Sequence, residues 1–382
     1  MRRAVLGGCL VGLATGWNVA NIGAIPSHLA DSYDVSLAVV GLFTTALFAT
    51  HLAMQIPGGR AADRFGARRA ALIGLVITIA FNGLALVAPE PGLAITARAL
   101  IGIGTGLGFI AGSAYVRESG GSPFAQGLYG GVGLAGGGLA LAVVSQLDAW
   151  LGWRAPFWTA IAVGVGGLVL LAVAPPDGPR VTTERELDVP AGILRDRRLY
   201  RLAVLYAASL GLSLVVGNWV VELLERNGGV AKGTAGAVGA LTLLLGVLTR
   251  PLGGWILRER PDAMRAGVAW ALAAGAAGTA LLATAEPLAV AALGAVLIGL
   301  AAGIPFAPAF TGAALVRPDA PGAAVGMVNG AASLVVIVGT PLLGLTFRLP
   351  GDGRIGFVVV AALWLVALAL LPSEHNLGVQ RG

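Results

Sequence analysis

Long apolar runs alternate with short arginine-bearing segments along the whole chain. The runs fall at about 4–30, 36–57, 70–88, 92–116, 126–147 and 156–174, then at about 200–222, 232–256, 263–285, 287–316, 322–346 and 354–371. A helix needs about 20 residues to cross roughly 30 Å of hydrocarbon. Backbone polar groups find no water there, so each crossing must satisfy its own. Composition agrees: 57% of the 382 residues are hydrophobic and 12% are charged, against about 25% charged in soluble domains. The expected fold is all-α and integral to the membrane, with twelve transmembrane helices in two six-helix bundles.

The interval Pro175–Leu199 is the one long polar break. It divides the chain into an N-terminal bundle (1–174), a cytoplasmic linker (175–199) and a C-terminal bundle (200–382). The two halves repeat. Ala114-Tyr115-Val116-Arg117 ends run four, and Ala314-Leu315-Val316-Arg317 ends run ten, 200 residues later. Pro251-Leu252-Gly253-Gly254 stands where Pro57-Gly58-Gly59-Arg60 stands in the first half. Such duplication is how two-bundle transporters are built.

Orientation follows from the basic residues. With the N-terminus inside, the inner segments hold eighteen of them and the outer segments five, leaving Arg98 and Arg250 within runs. Both termini are therefore expected in the cytoplasm, in a multi-pass protein of the cell membrane, with a bacterial inner membrane as the setting. The net charge of +6 does not point to nucleic acid, because the arginines sit in loops and form no face interleaved with aromatics. Cys9 is the only cysteine, so no intrachain disulfide forms. Run one is too long for a secretory leader and reads as an uncleaved helix.

The densest charge lies between runs two and three, in Gly58-Gly59-Arg60-Ala61-Ala62-Asp63-Arg64-Phe65-Gly66-Ala67-Arg68-Arg69. This stretch resembles the loop motif of the major facilitator superfamily, G-x-x-x-D-R-x-G-[RK]-[RK]. Run four carries Arg98-x3-Gly102-x-Gly104, similar to that superfamily's helix-four motif. Gly152-Trp153-Arg154-x-x-Phe157 matches a stretch common after its helix five. The resemblance covers nearly the whole chain and implies alternating access by two rocking bundles. It implies that Gly59, Asp63, Arg64, Gly66, Arg68 and Arg69 form a conformational latch, with Asp63 near the start of helix eleven. Run five is crowded with glycine from Gly127 to Gly138, where the superfamily's antiporters carry a Gly-Pro motif; the proline is absent. Arg250-Pro251-Leu252-Gly253-Gly254 resembles helix eight of nitrate/nitrite porters and cyanate-permease relatives. The arginine expected opposite it in helix two is Gln55.

The polar residues inside the runs point to a substrate class. Asn18, Asn21, His51, Gln55, Arg98, Tyr129, Asn218, Arg250 and Asn329 are the candidate substrate-binding residues. No Asp or Glu lies near the centre of any run, so the embedded charge is positive. A site for cations would want a buried carboxylate, and a site for anions wants arginine. The expected function is secondary transport of a small anion or organic acid. The alternative is efflux of an uncharged or amphipathic, drug-like compound by antiport. No catalytic triad, metal cluster or phosphate loop is present, so no enzyme and no cofactor are expected. The partners are a small-molecule substrate and the lipid bilayer. A coupling proton is left open at His51, which reads equally as a core histidine. The protein is expected to be a monomer.

Overall fold

The computed structural model describes residues 2–119, 123–176, 195–318 and 321–379, apart from the side chains of Arg2, Asp63, Pro123, Phe124, Pro321, Gly322 and Ala323. Most of the expected linker lies outside these residues. The first half comprises α1 (Arg2–Ala20), α2 (Pro26–Tyr33), α3 (Leu37–Ala53), α4 (Gln55–Phe65), α5 (Ala67–Ala85), α6 (Pro91–Glu118), α7 (Pro123–Leu151) and α8 (Ala155–Ala172). The second comprises α9 (Arg197–Tyr206), α10 (Ser213–Gly217), α11 (Val220–Gly228), α12 (Lys232–Leu244), α13 (Gly246–Glu259), α14 (Met264–Thr284), α15 (Leu288–Ala301), α16 (Phe306–Val316), α17 (Pro321–Thr346) and α18 (Arg354–Ala369).

Among the described residues, nine helical stretches are long and apolar enough to cross a membrane, or ten when a bent pair counts as one span. Two particulars separate this tally from twelve runs. The stretch Ala125–Ala172 is 48 residues long and contains both α7 and α8, and α18 has only 16 residues. The bent pair is α2 and α3, whose axes differ by 104°. Run one thus ends earlier than its hydrophobicity suggests. The chain leaves α1 at Ala20, and Pro26 starts a separate short helix, a position where the missing N–H costs nothing.

The packing of the halves is pseudo-symmetric. In the first, α5 lies on α6 and on α8, and α3 on α6; in the second, α14 lies on α15 and on α18, and α12 on α15. Two seams join the halves: α7 against α12 and α13, and α3 against α17. At the first seam a Cβ on Gly138 would stand 2.7 Å from the Ala240 carbonyl oxygen, so glycine permits the close approach.

Helices of the second half are broken around its centre. A π-helical turn, Ala207–Leu212, joins α9 to α10. Leu245 interrupts α12–α13, and residues 302–305 interrupt α15–α16. Carbonyls freed at such breaks need donors where water is absent. The Ser209 hydroxyl donates to the Ala302 carbonyl at 3.0 Å. Pro341 inside α17 lacks the N–H that would bond the Ile337 carbonyl. The Thr45 hydroxyl of α3 donates to that carbonyl at 2.7 Å, across the seam.

Candidate functional site

Two polar constellations lie deep between the ends of the molecule. The first encloses an arginine within one half. Arg98 of α6 is fully buried, and its guanidinium donates to the Asn18 carbonyl at 2.8 Å, the Phe43 carbonyl at 3.2 Å and Asn21 Oδ1 at 3.3 Å. Asn18 accepts from Asn82 at 2.9 Å, and Asn21 donates to the Pro156 carbonyl at 2.9 Å. This network ties α1, α3, α5 and α6 together inside the first half.

The second constellation surrounds a cavity of about 90 Å³ between the halves. Thr15 of α1, Phe48 and His51 of α3, Phe109 of α6 and Gly130 to Gly137 of α7 line it from the first half. Tyr206, Leu210, Arg250, Asn329 and Ser333 line it from the second. No Asp or Glu is among the lining residues.

Arg250 dominates the electrostatics. It precedes Pro251 in α13 and is buried. Its Nη1 donates to the Gly130 carbonyl of α7 at 2.8 Å, joining the halves. Its guanidinium lies 4.4 Å from the Phe306 ring centroid, a favourable cation–π contact. The Tyr206 hydroxyl is a further hydrogen-bond partner. Nε is buried with no partner. A Cβ at position 130 would stand 2.8 Å from Nη1, so glycine there admits the guanidinium to the helix backbone.

His51 is buried between Phe48 and Phe109, with ring centroids 6.0 and 6.1 Å away. Its Nδ1 lies 3.1 Å from the Thr105 hydroxyl, which itself has the Gly102 carbonyl 3.2 Å away. The Nδ1–Thr105 hydrogen bond runs in either direction according to the imidazole tautomer. Gln55 meets Asn329 across the halves, Oε1 to Nδ2 at 3.5 Å.

The sequence-named residues thus separate. His51, Arg250 and Asn329 line the cavity and Gln55 adjoins it. Asn18, Asn21 and Arg98 belong to the first constellation. The Tyr129 hydroxyl donates to the Phe109 carbonyl at 2.6 Å within the first half. Asn218 accepts from Thr44 at 3.3 Å, outside the cavity. Thr15, Phe109 and Tyr206 line the cavity without having been singled out, since an aromatic or a threonine in an apolar run reads as core.

In the charged loop, Gly66 ends α4 at φ +94°, a backbone shape suited to glycine. Arg68 donates through Nε to the Leu171 carbonyl at 3.0 Å and also to the Ala172 carbonyl, closing the end of α8. This tie stays within the first half. Arg64 and Arg69 are exposed and Gly59 half-buried. The side chains of Asp63 and of the start of α17 lie outside the described residues, and with them the expected latch. Among the described residues no group of three or more His, Cys, Asp or Glu could hold a metal ion.

The family profile of the Major Facilitator Superfamily matches residues 6–340. This chain belongs to the major facilitator superfamily. The gentisate transporter of Corynebacterium glutamicum is 31% identical over 301 residues, covering 73% of this chain and 65% of that protein. The probable sulfoacetate transporter SauU of Cupriavidus necator is 29% identical over 264 residues, covering 63% and 60%. The chain thus spans somewhat less than two thirds of the length of these relatives. Among solved structures, the nucleoside transporter NupG superposes with a TM-score of 0.74 at 15% identity, covering 97% of this chain and 98% of that one. That likeness establishes the shared fold: an all-α, multi-pass membrane protein of pseudo-symmetric halves.

Proposed function

We propose that this protein is a secondary transporter that carries a small organic anion or organic acid across the membrane by alternating access. The observation that carries the reading is Arg250. Its guanidinium is buried in a cavity between the halves, has an unpartnered Nε and faces no acid among the lining residues. An uncompensated guanidinium at membrane depth costs several kcal/mol, and a carboxylate or sulfonate answers its planar fork. The names of the two relatives, gentisate and sulfoacetate transporters, are those of organic anions. The likeness of the Arg250 stretch to nitrate/nitrite porters and cyanate-permease relatives supports the same class of charge.

In this reading the twelve runs make twelve crossings, residues 1–174 and 200–382 rock as two bundles, and 175–199 links them. Both termini lie in the cytoplasm, and the protein works as a monomer in a bacterial inner membrane. His51 Nε2, Gln55 and Asn329 serve as polar contacts beside Arg250, and His51 accepts a coupling proton. Asp63 latches the cytoplasmic ends near the start of α17. Arg98, Asn18, Asn21, Tyr129 and Asn218 support the site through the bundles that hold it.

Binding to the purified protein tests this. Gentisate, sulfoacetate and nitrate are compared with a neutral nucleoside and an amphipathic drug. An organic anion should bind, Arg250→Lys should weaken it about tenfold or more, and Arg250→Ala should weaken it further, because ammonium cannot reproduce the fork. Equal anion binding by wild type and both variants refutes the assignment. Tight binding of the drug alone establishes the efflux alternative instead.

A further inference from the structure

Among the described residues two acidic side chains are buried, Asp148 and Glu222, and both stand at the end of the molecule opposite the termini. A buried carboxylate needs partners, because taking its charge out of water is costly. Glu222 of α11 accepts from the Ser27 backbone N–H at 3.0 Å and from the Ser27 hydroxyl at 2.5 Å, at the first turn of α2. It also bonds Arg226, one turn further along its own helix. Asp148, at the end of α7, accepts from Lys232 Nζ of α12 at 2.5 Å and lies 2.7 Å from His28 Nδ1 of α2. Glycine lets α12 come this near to α7: a Cβ on Gly236 would stand 1.8 Å from Ser145 Oγ.

The partners divide in the same way at both acids. Asp148 of the first half has His28 in its own half and Lys232 across from it. Glu222 of the second half has Arg226 in its own half and Ser27 across from it. Arg226 leans toward the seam as well, 3.4 Å from Ser27 Oγ, and stands 3.9 Å from Asp352 of its own half.

We propose that Asp148 and Glu222 form a clasp that holds this end shut and that opens without stripping either carboxylate. When the halves part here, Lys232 leaves Asp148 and Ser27 leaves Glu222, while His28 and Arg226 stay with their acids. Removing every partner from a buried carboxylate is strongly unfavourable. The retained partner, with water reaching the parted faces, avoids that state, so the clasp favours closure and still releases. The two kinds of contact then have different consequences. Contacts across the halves exist only in the closed form and set the ratio of closed to open populations. Contacts within one half exist in both forms and cancel from that ratio. The clasp requires only that the halves move, and does not depend on which solute is carried.

Distance measurement between spin labels tests it on the full chain in lipid nanodiscs. Labels go on Asp31→Cys of α2 and Thr234→Cys of α12, both exposed, in a Cys9→Ala background. Lys232→Met removes one cross-half bond and Ser27→Ala weakens the other. Each should lower the closed-to-open ratio about fivefold or more, as expected for losing a hydrogen bond to a charged group. Lys232→Arg keeps the charge and its donors and should hold the wild-type ratio, so the shift in Lys232→Met reads the lost pair and not a misfolded chain. His28→Gln alters only a bond within the first half and should also leave the ratio as in the wild type. The proposal fails if Lys232→Met and Ser27→Ala both leave the ratio unchanged, if Lys232→Arg lowers it as far as Lys232→Met, or if His28→Gln shifts it as far as they do.

Discussion

Arg98 and Arg250 carry the same charge at membrane depth and meet opposite surroundings. Arg98 is enclosed by the carbonyls of Asn18 and Phe43 and by Asn21, while Arg250 keeps an unpartnered Nε at a cavity wall. The sequence shows both as isolated arginines in apolar runs, since spacing places a residue on a helix but does not say which neighbour that face meets. The distinction gives a prediction. Arg98→Lys should strand acceptors at about 1–3 kcal/mol each, seen as lower thermal stability in detergent. Anion affinity of the protein that remains folded should be unchanged. Loss of affinity in step with the Arg250 variants would place Arg98 in the binding site. Asp148, which accepts from Lys232 at 2.5 Å, and Glu222, which accepts from the Ser27 N–H at 3.0 Å, lay beyond sequence reasoning for a related reason: each reads as an ordinary end-of-run charge until the halves are brought together.

At the scale of elements, the apolar runs located the helices, of which nine or ten among the described residues are long and apolar enough to cross a membrane, but not where they bend. Runs one, seven, eight and ten continue in hydrophobicity through points where the chain turns or changes helical pitch, because the lipid-facing side stays apolar across a break. A carbonyl freed by a break, or by a proline inside a helix, can be served by a donor on another helix. Thr45 is the clearest instance, since it satisfies the Ile337 carbonyl left open by Pro341. Thr45→Val removes the donor and keeps the shape. It should cost about 1–3 kcal/mol and loosen the seam between α3 and α17. Spin labels placed on α3 and α17 should then show a broader distance distribution, while Thr45→Ser restores the wild-type one. An unchanged distribution in Thr45→Val would show that the seam does not rely on this bond.

For the whole molecule, the internal repeat was legible because it survives in short matching strings such as those ending at Arg117 and Arg317. The matching helix pairs of the two halves realise it in space. The repeat is inexact at Arg250, whose repeat mate is Gln55, so the two halves offer one charge rather than two. That asymmetry, together with the free Nε of Arg250, has a kinetic consequence. In the proposed anion-transport cycle, the unloaded protein carries the Arg250 charge without a counter-ion through each reorientation, whereas the loaded one carries it neutralised. The return stroke of the empty form should therefore be the slow one. Preloading proteoliposomes with unlabelled anion should accelerate entry of labelled anion severalfold over entry into empty vesicles. Equal rates would mean that the naked guanidinium crosses as easily as the paired one. The trans-stimulated behaviour would make this protein, in its membrane, an exchanger by rate even where its chemistry permits net flow.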